Sequence, residues 1–212
     1  MHNPSPRTRI RRLAAITAAA ALAIFGVTSA IRGLDGLGTV HDSLKQEAVV
    51  GTPDMTPAGI AAKAGGAGLR GVALPTCSVA GEAVGNGAAA RCFAEYMRVD
   101  ALIATGGRTY AQMPRFASKD GKGTNIEAEA VKLPNGAGMP NPARNVWITE
   151  TALSNALNTS YMAEQVSLFG IAVGAMFALV GLTFAGVALG GLKLTSTSLS
   201  RRRRREPAVS AA

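Results

Sequence analysis

The chain has 212 residues, 48% of them apolar and 17% charged, with a net charge of +9. That length serves one or two domains, and the balance is tilted away from an ordinary soluble domain and toward lipid. A basic chain ordinarily points to nucleic acid or an acidic surface, but here the excess sits at the two ends. The flanks hold eleven basic residues against one acid, whereas residues 33–164 hold 11 basic and 12 acidic residues.

The first cluster, Arg7, Arg9, Arg11 and Arg12 with Arg32 beyond, brackets Leu13 to Ile31, 19 residues without a charge. As a helix rising 1.5 Å per residue this run reaches about 28 Å, close to a hydrocarbon core of about 30 Å. The arm 1–12 and the span 13–32 follow, with the arm held in the cytoplasm because arginines resist translocation. A secretory signal is the rival reading: a basic region, an apolar region, and Thr28-Ser29-Ala30 as a small-residue cleavage site. It leaves the middle segment outside but removes one anchor.

Leu34 to Val50 places Leu37, Val40, Leu44 and Ala48 at helical steps, and Gly51-Thr52-Pro53-Asp54 breaks the pattern. Thr56-Pro57 has the form of an N-cap with proline at the first helical position, opening a helix through about Ala64. Gly66, Gly68 and Gly71 spell a G-x-G-x-x-G, but a dinucleotide fingerprint follows a strand and opens a helix. This one follows a helical segment, so a flexible turn is expected.

Ala88 to Thr105 is the clearest soluble helix, with Ala89, Cys92, Phe93, Tyr96, Val99 and Ile103 along one face and Gly106-Gly107 as its stop. Cys77 and Cys92 are the only cysteines. Outside the membrane they face an oxidising compartment, where thiols pair. A disulfide there closes a loop of about 15 residues and contributes ~3 kcal/mol in the chain-entropy model. Zinc wants four ligands, and the chain adds only His2 and His41, which fall on opposite sides of the bilayer; no metal or cofactor is expected. Two free buried thiols remain the alternative.

Residues 117–143 mix glycine, proline, asparagine and lysine with few large apolar groups, so a flexible excursion is expected, with Asn135-Gly136 as a turn. From Thr149 the pattern is helical and uninterrupted to Gly170, which predicts one helix running into a second span. That span, Val166 to Leu192 within the domain boundary 165–192, is 27 uncharged residues and is long enough to tilt. Gly170 with Gly174, and Gly186 with Gly190, stand four apart and permit close helix approach. The tail 193–212 carries Arg201, Arg202, Arg203, Arg204 and Arg205. Behind an apolar helix these act as stop-transfer and attract anionic headgroups, about 1 kcal/mol per residue near the surface; nucleic acid is not the expected partner.

The expectation is therefore a mainly α, two-span plasma-membrane protein with both termini cytoplasmic and an extracytoplasmic helical domain over 33–164. It is read as non-enzymatic, its partners being the lipid bilayer and either itself or another membrane protein. The alternative is a cell-envelope enzyme using carboxylates from Asp54, Glu95 and Asp100 near Arg98 or Arg108.

With GTPDMTP at Gly51 to Pro57, ARCFAEYMR at Ala90 to Arg98, ATGGRTYAQM at Ala104 to Met113 and RNVWITETALSNALNTSYMAEQ at Arg144 to Gln165, the chain resembles a family of uncharacterised actinobacterial membrane proteins over roughly residues 13–190. Such sequences are sometimes labelled aromatic ring-opening dioxygenases. That label implies a facial iron site of two histidines and a carboxylate, which histidines on opposite membrane faces do not assemble.

Overall fold

A computed structural model describes residues 6–203, and the side chains of 7 and 10–188. Four α-helices follow in order: α1 (Pro6–Gln46), α2 (Pro57–Gly66), α3 (Gly87–Ala104) and α4 (Ala143–Arg203), with single 3-10 turns at Tyr110–Gln112 and Glu127–Glu129. The architecture is mainly α, as expected. The chain divides into two compact units, one made of its two end portions up to Asp35 and from Val166, the other of Gly36–Gln165.

In the first unit, α1 and α4 are each long and apolar enough to cross a membrane. Alanine, the best helix former, dominates the early part of α1. The two helices meet along small residues. A Cβ on Gly26 would lie 2.6 Å from the Gly174 carbonyl oxygen, one on Gly174 2.6 Å from the Gly26 carbonyl oxygen, and one on Gly181 2.6 Å from the Ala23 nitrogen. Gly33 meets the Ser167 carbonyl at the same distance. The contacts recur every seven residues, at Ala19, Gly26 and Gly33 on α1 and at Ser167, Gly174 and Gly181 on α4. That is the spacing that keeps one seam of a helix facing its partner.

Large side chains point the other way. Ile24, Val27 and Ile31 of α1, and Phe169, Leu179, Leu182, Phe184 and Val187 of α4, are all more than half exposed. Two span hydroxyls bond within their own helices: Thr28 Oγ1 donates to the Ile24 carbonyl at 2.8 Å and Thr183 Oγ1 to the Leu179 carbonyl at 2.7 Å. Phe25 and Phe177 meet edge to face, centroids 5.5 Å apart.

In the second unit, α3 is the central element. Asn86 caps it, its Oδ1 accepting from Ala89 N at 2.8 Å, and Gly106 and Gly107 end it with φ of 61° and 78°. Its buried face carries Cys92, Tyr96 and Val99, as the periodicity requires, and these pack on Met55, Ile60, Ala64 and Val79. Small residues widen the buried surface: Ala90, Ala94 and Ala101 are also covered. Thr56 caps α2 by accepting from Gly59 N at 3.0 Å, and Pro57 takes the first position. Two further clusters flank α3. Leu44 of α1 packs with Val84 and Ala90, and Trp147 of α4 packs with Ala101, Leu102 and Met113.

Helix α4 begins at Ala143, six residues before the Thr149 start that the sequence suggested. Asn141 accounts for the difference, because its Oδ1 accepts from Ala143 N at 3.1 Å and Pro142 leads into the first turn. The 117–143 segment holds no α-helix up to that start, yet its backbone is tied to itself. Phe116 and Thr124 exchange hydrogen bonds of 3.0 and 2.9 Å, Val131 N donates to Ala117 O at 2.9 Å, and Met139 N to Val131 O at 2.7 Å. Asn135-Gly136 turns the chain with φ of 83° at the glycine.

The seam generates a comparison of two glycines. Gly174→Ile should destabilise the helix pair by about 1–3 kcal/mol, because a side chain there meets backbone that cannot yield. Gly186→Ile should be close to neutral, since nothing stands within 4 Å of its Cβ position. Thermal unfolding of the detergent-solubilised variants reads the difference, and equal losses would contradict the seam.

Candidate functional site

The two cysteines are paired. Cys77 and Cys92 form a disulfide with Cα atoms 6.1 Å apart, tying the extended segment before α3 to its second turn. One turn further on, the fully buried Tyr96 donates its hydroxyl to the Cys77 carbonyl at 2.7 Å. Burial, with the Glu95 charge as a smaller contribution, raises the pKa of that hydroxyl, which keeps it a donor. The staple and this hydrogen bond therefore hold the same strand of chain against α3.

A second polar linkage was not legible beforehand. Glu164 of α4 is 8% exposed; its Oε2 accepts from Gly87 N at 2.7 Å and lies 3.0 Å from His41 Nε2 of α1. Gly87 opens α3, so its N–H is one of the donors a helix start leaves unsatisfied, and a carboxylate there also meets the positive end of the helix dipole. Gly87 has to be glycine for the approach: a Cβ would lie 2.8 Å from Tyr161 Cα. One carboxylate thus joins α1, α3 and α4. No local sequence signal marks it, because its partners are 77 and 123 residues away.

The carboxylates considered for catalysis are divided between two places. Lys63 of α2 pairs with Asp54 and lies 3.6 Å from Asp100. Glu95 pairs instead with Arg91 at 3.5 Å, and the arginines of α3 lie over rings of α4, Arg91 on Tyr161 at 4.9 Å and Arg98 on Trp147 at 5.5 Å. Arg108 contributes its carbonyl, which accepts from Trp147 Nε1 at 2.8 Å. Between α3 and α4 runs a polar groove of about 330 Å³ lined by Arg91, Glu95, Arg98, Glu150, Ser154 and Asn158. Glu150 is 6% exposed and accepts from Ser154 Oγ at 2.9 Å. Among the described residues no three His, Cys, Asp or Glu side chains are grouped to hold a metal.

The apolar hollow lies elsewhere on the same unit. An open depression of about 510 Å³ is lined by Leu44, Val49, Val84, Phe93, Met97, Leu153, Ala156 and Leu157, with Ser43, Glu47 and Ser160 as its polar members. That volume falls in the range of about 300–1,000 Å³ typical of small-molecule sites, which are mostly apolar with a few polar groups.

Of the glycines singled out for helix packing, Gly174 sits at the seam, and a Cβ on Gly170 would lie 3.8 Å from Gly33 Cα. A Cβ on Gly186 would meet nothing within 4 Å. Gly26, Gly33 and Gly181 complete the contact, and none of them has a second glycine four residues away to mark it in the sequence. Among the basic residues of the arms, Arg7, Arg11 and Arg12 lie on α1; the side chains of Arg9, Arg201, Arg202 and Arg203, the surroundings of Gly190, and all of Arg204 and Arg205 lie outside what is described.

Two outcomes follow from these contacts. Replacing both cysteines with serine should cost about 3 kcal/mol, and Tyr96→Phe about 1 kcal/mol, each read as lost hydrogen-exchange protection in α3; unchanged protection in both would contradict the staple. The Lys63 ammonium, and after it the Thr52 hydroxyl, lower the Asp54 carboxyl pKa from 3.8 to about 2. A lowered carboxyl stabilises the fold above pH 3.8 and loses that contribution as pH falls toward 2. Its carbon resonance should titrate near pH 2, and Lys63→Met should return the midpoint toward 3.8; a wild-type midpoint already at 3.8 would remove the pair.

No family model, no curated protein and no solved structure matches this chain.

Proposed function

We propose that this chain is a two-span integral protein of the plasma membrane, with both termini cytoplasmic and the Gly36–Gln165 unit presented outside. In this reading it acts through interaction or assembly rather than catalysis, with itself or with another membrane protein as partner. The supporting observation is the arrangement of side chains on α1 and α4. Glycine and alanine face the partner helix, while Ile24, Ile31, Phe169, Leu182 and Phe184 face away and stay exposed. In water that arrangement exposes a large apolar surface at high cost; in a bilayer the large side chains meet lipid tails and the small ones allow backbone contact.

Three further observations fit. The arginine clusters flank both apolar runs, which by the positive-inside rule keeps both ends in the cytoplasm. The disulfide suits an oxidising exterior. The packing of Gly26 and Gly33 on α4 favours a retained first span over a cleaved signal. The non-enzymatic part rests on the acids already engaged with Lys63 and Arg91.

Crosslinking in native membranes with amine-reactive spacers of graded length should trap a discrete species, either a homo-oligomer or a complex with one membrane protein. Recovery of monomer alone at every spacer length would count against assembly as the role.

A further inference from the structure

Within the Gly36–Gln165 unit, two opposite charges stand uncompensated in one groove. Among the described residues the ion pairs are His41 with Glu164, Lys63 with Asp54 and Asp100, and Arg91 with Glu95. Glu150 and Arg98 enter none of them, yet both line the open groove of about 330 Å³ between α3 and α4. We propose that this groove binds a free amino acid, with the ligand's ammonium on Glu150 and its carboxylate on Arg98. The site goes beyond the role in assembly and does not depend on the membrane reading.

Glu150 supplies the anionic end. It is 6% exposed, and its carboxylate receives hydroxyl donors alone, Ser154 Oγ at 2.9 Å on Oε1 and Thr151 Oγ1 at 3.3 Å on Oε2. A carboxylate has about four acceptor sites, so these two bonds orient it and leave room for a further donor. A buried charge is strongly disfavoured until a counter-charge reaches it, and neither hydroxyl is one. Arg98 supplies the cationic end. Its guanidinium lies over the Trp147 ring, 5.5 Å from the centroid. Trp147 stands three residues before Glu150 on α4, and side chains at that spacing are neighbours on a helix surface. The ring that holds Arg98 is therefore beside the buried carboxylate. A guanidinium in that place offers the planar fork of donors that a carboxylate accepts in parallel.

Charge and size narrow the ligand. A simple cation entering the groove would meet Arg91 and Arg98, and a simple anion would meet Glu95 and Glu150. A zwitterion answers both signs. The groove holds the equivalent of roughly ten waters at about 30 Å³ each, which suits a molecule of about ten non-hydrogen atoms and is too small for a peptide or a polymer. The remaining polar lining, Thr151, Ser154, Asn155 and Asn158, is hydroxyl and amide. Amino acids with polar side chains are therefore favoured over aliphatic ones, whose burial there would leave those groups without partners.

Isothermal titration calorimetry of the detergent-solubilised full chain tests this, with each free proteinogenic amino acid titrated singly. At least one polar member should bind saturably. Blocking its ammonium by N-acetylation, or converting its carboxylate to the amide, should weaken binding at least tenfold, as should Glu150→Gln and Arg98→Gln, because each leaves one charge of a pair without its partner. Arg98 is exposed, so Arg98→Gln keeps the test available should Glu150→Gln fail to fold, and α3 hydrogen-exchange protection identifies the folded variants. Equal affinity for the acetylated or amidated forms, or affinity unchanged by Arg98→Gln, would overturn the assignment of the two charges. Saturable binding of glucose or N-acetylglucosamine with none of any amino acid would assign the groove to a sugar and overturn the proposal, as would the absence of saturable binding by every amino acid tried.

Discussion

Backbone-to-backbone approach of α1 and α4 is the constraint on which the rest depends. It is available only because the facing positions carry glycine, alanine or serine. Where Gly26 meets Gly174, and Gly181 meets Ala23, even a methyl group would overlap main-chain atoms. Close approach brings dispersion and weak polar contacts into play without any need for a hydrophobic driving force, which lipid does not supply. It also commits the large apolar residues to the outside of the pair.

The Gly36–Gln165 unit solves a different problem. Its helices α2 and α3 are 10 and 18 residues long, and glycine-rich connections leave little apolar material for a core. Covalent and polar ties make up the shortfall. The disulfide fixes residue 77 to α3, Tyr96 repeats the attachment through the Cys77 carbonyl, and Trp147 secures the end of α3 by donating to Arg108 O. At the other end of α3, Glu164 and His41 bring α4 and α1 to Gly87. Both termini of the central helix are therefore held by side chains from helices distant in sequence.

Features encoded by short-range pattern were legible in the sequence. The two apolar runs, the Thr56-Pro57 start of α2, the buried face of α3 and the pairing of the two cysteines all rest on periodicity, capping or counting. Asn141-Pro142 is a short-range signal too, but Thr149 offered a competing cap and the proline-rich approach masked the earlier start. The seam was only partly legible, because glycines four apart mark only Gly170 and Gly174 there, while the contact repeats every seven residues through alanine and serine as well as glycine. Glu164 and the apolar hollow were not legible at all. Both are assembled from residues far apart in the chain, and in sequence Glu164 is one solvated acid among many.

The central claim is that two retained spans carry the unit between them to the far side of the membrane. The native cysteines are both in the disulfide, so a single added thiol reports its own location. Lys119→Cys, at an exposed position of the Gly36–Gln165 unit, should react with a membrane-impermeant maleimide in intact cells, while Ser5→Cys and Ser210→Cys should react only after lysis. Protection of Lys119→Cys until lysis, or labelling of either terminal thiol in intact cells, would contradict the account.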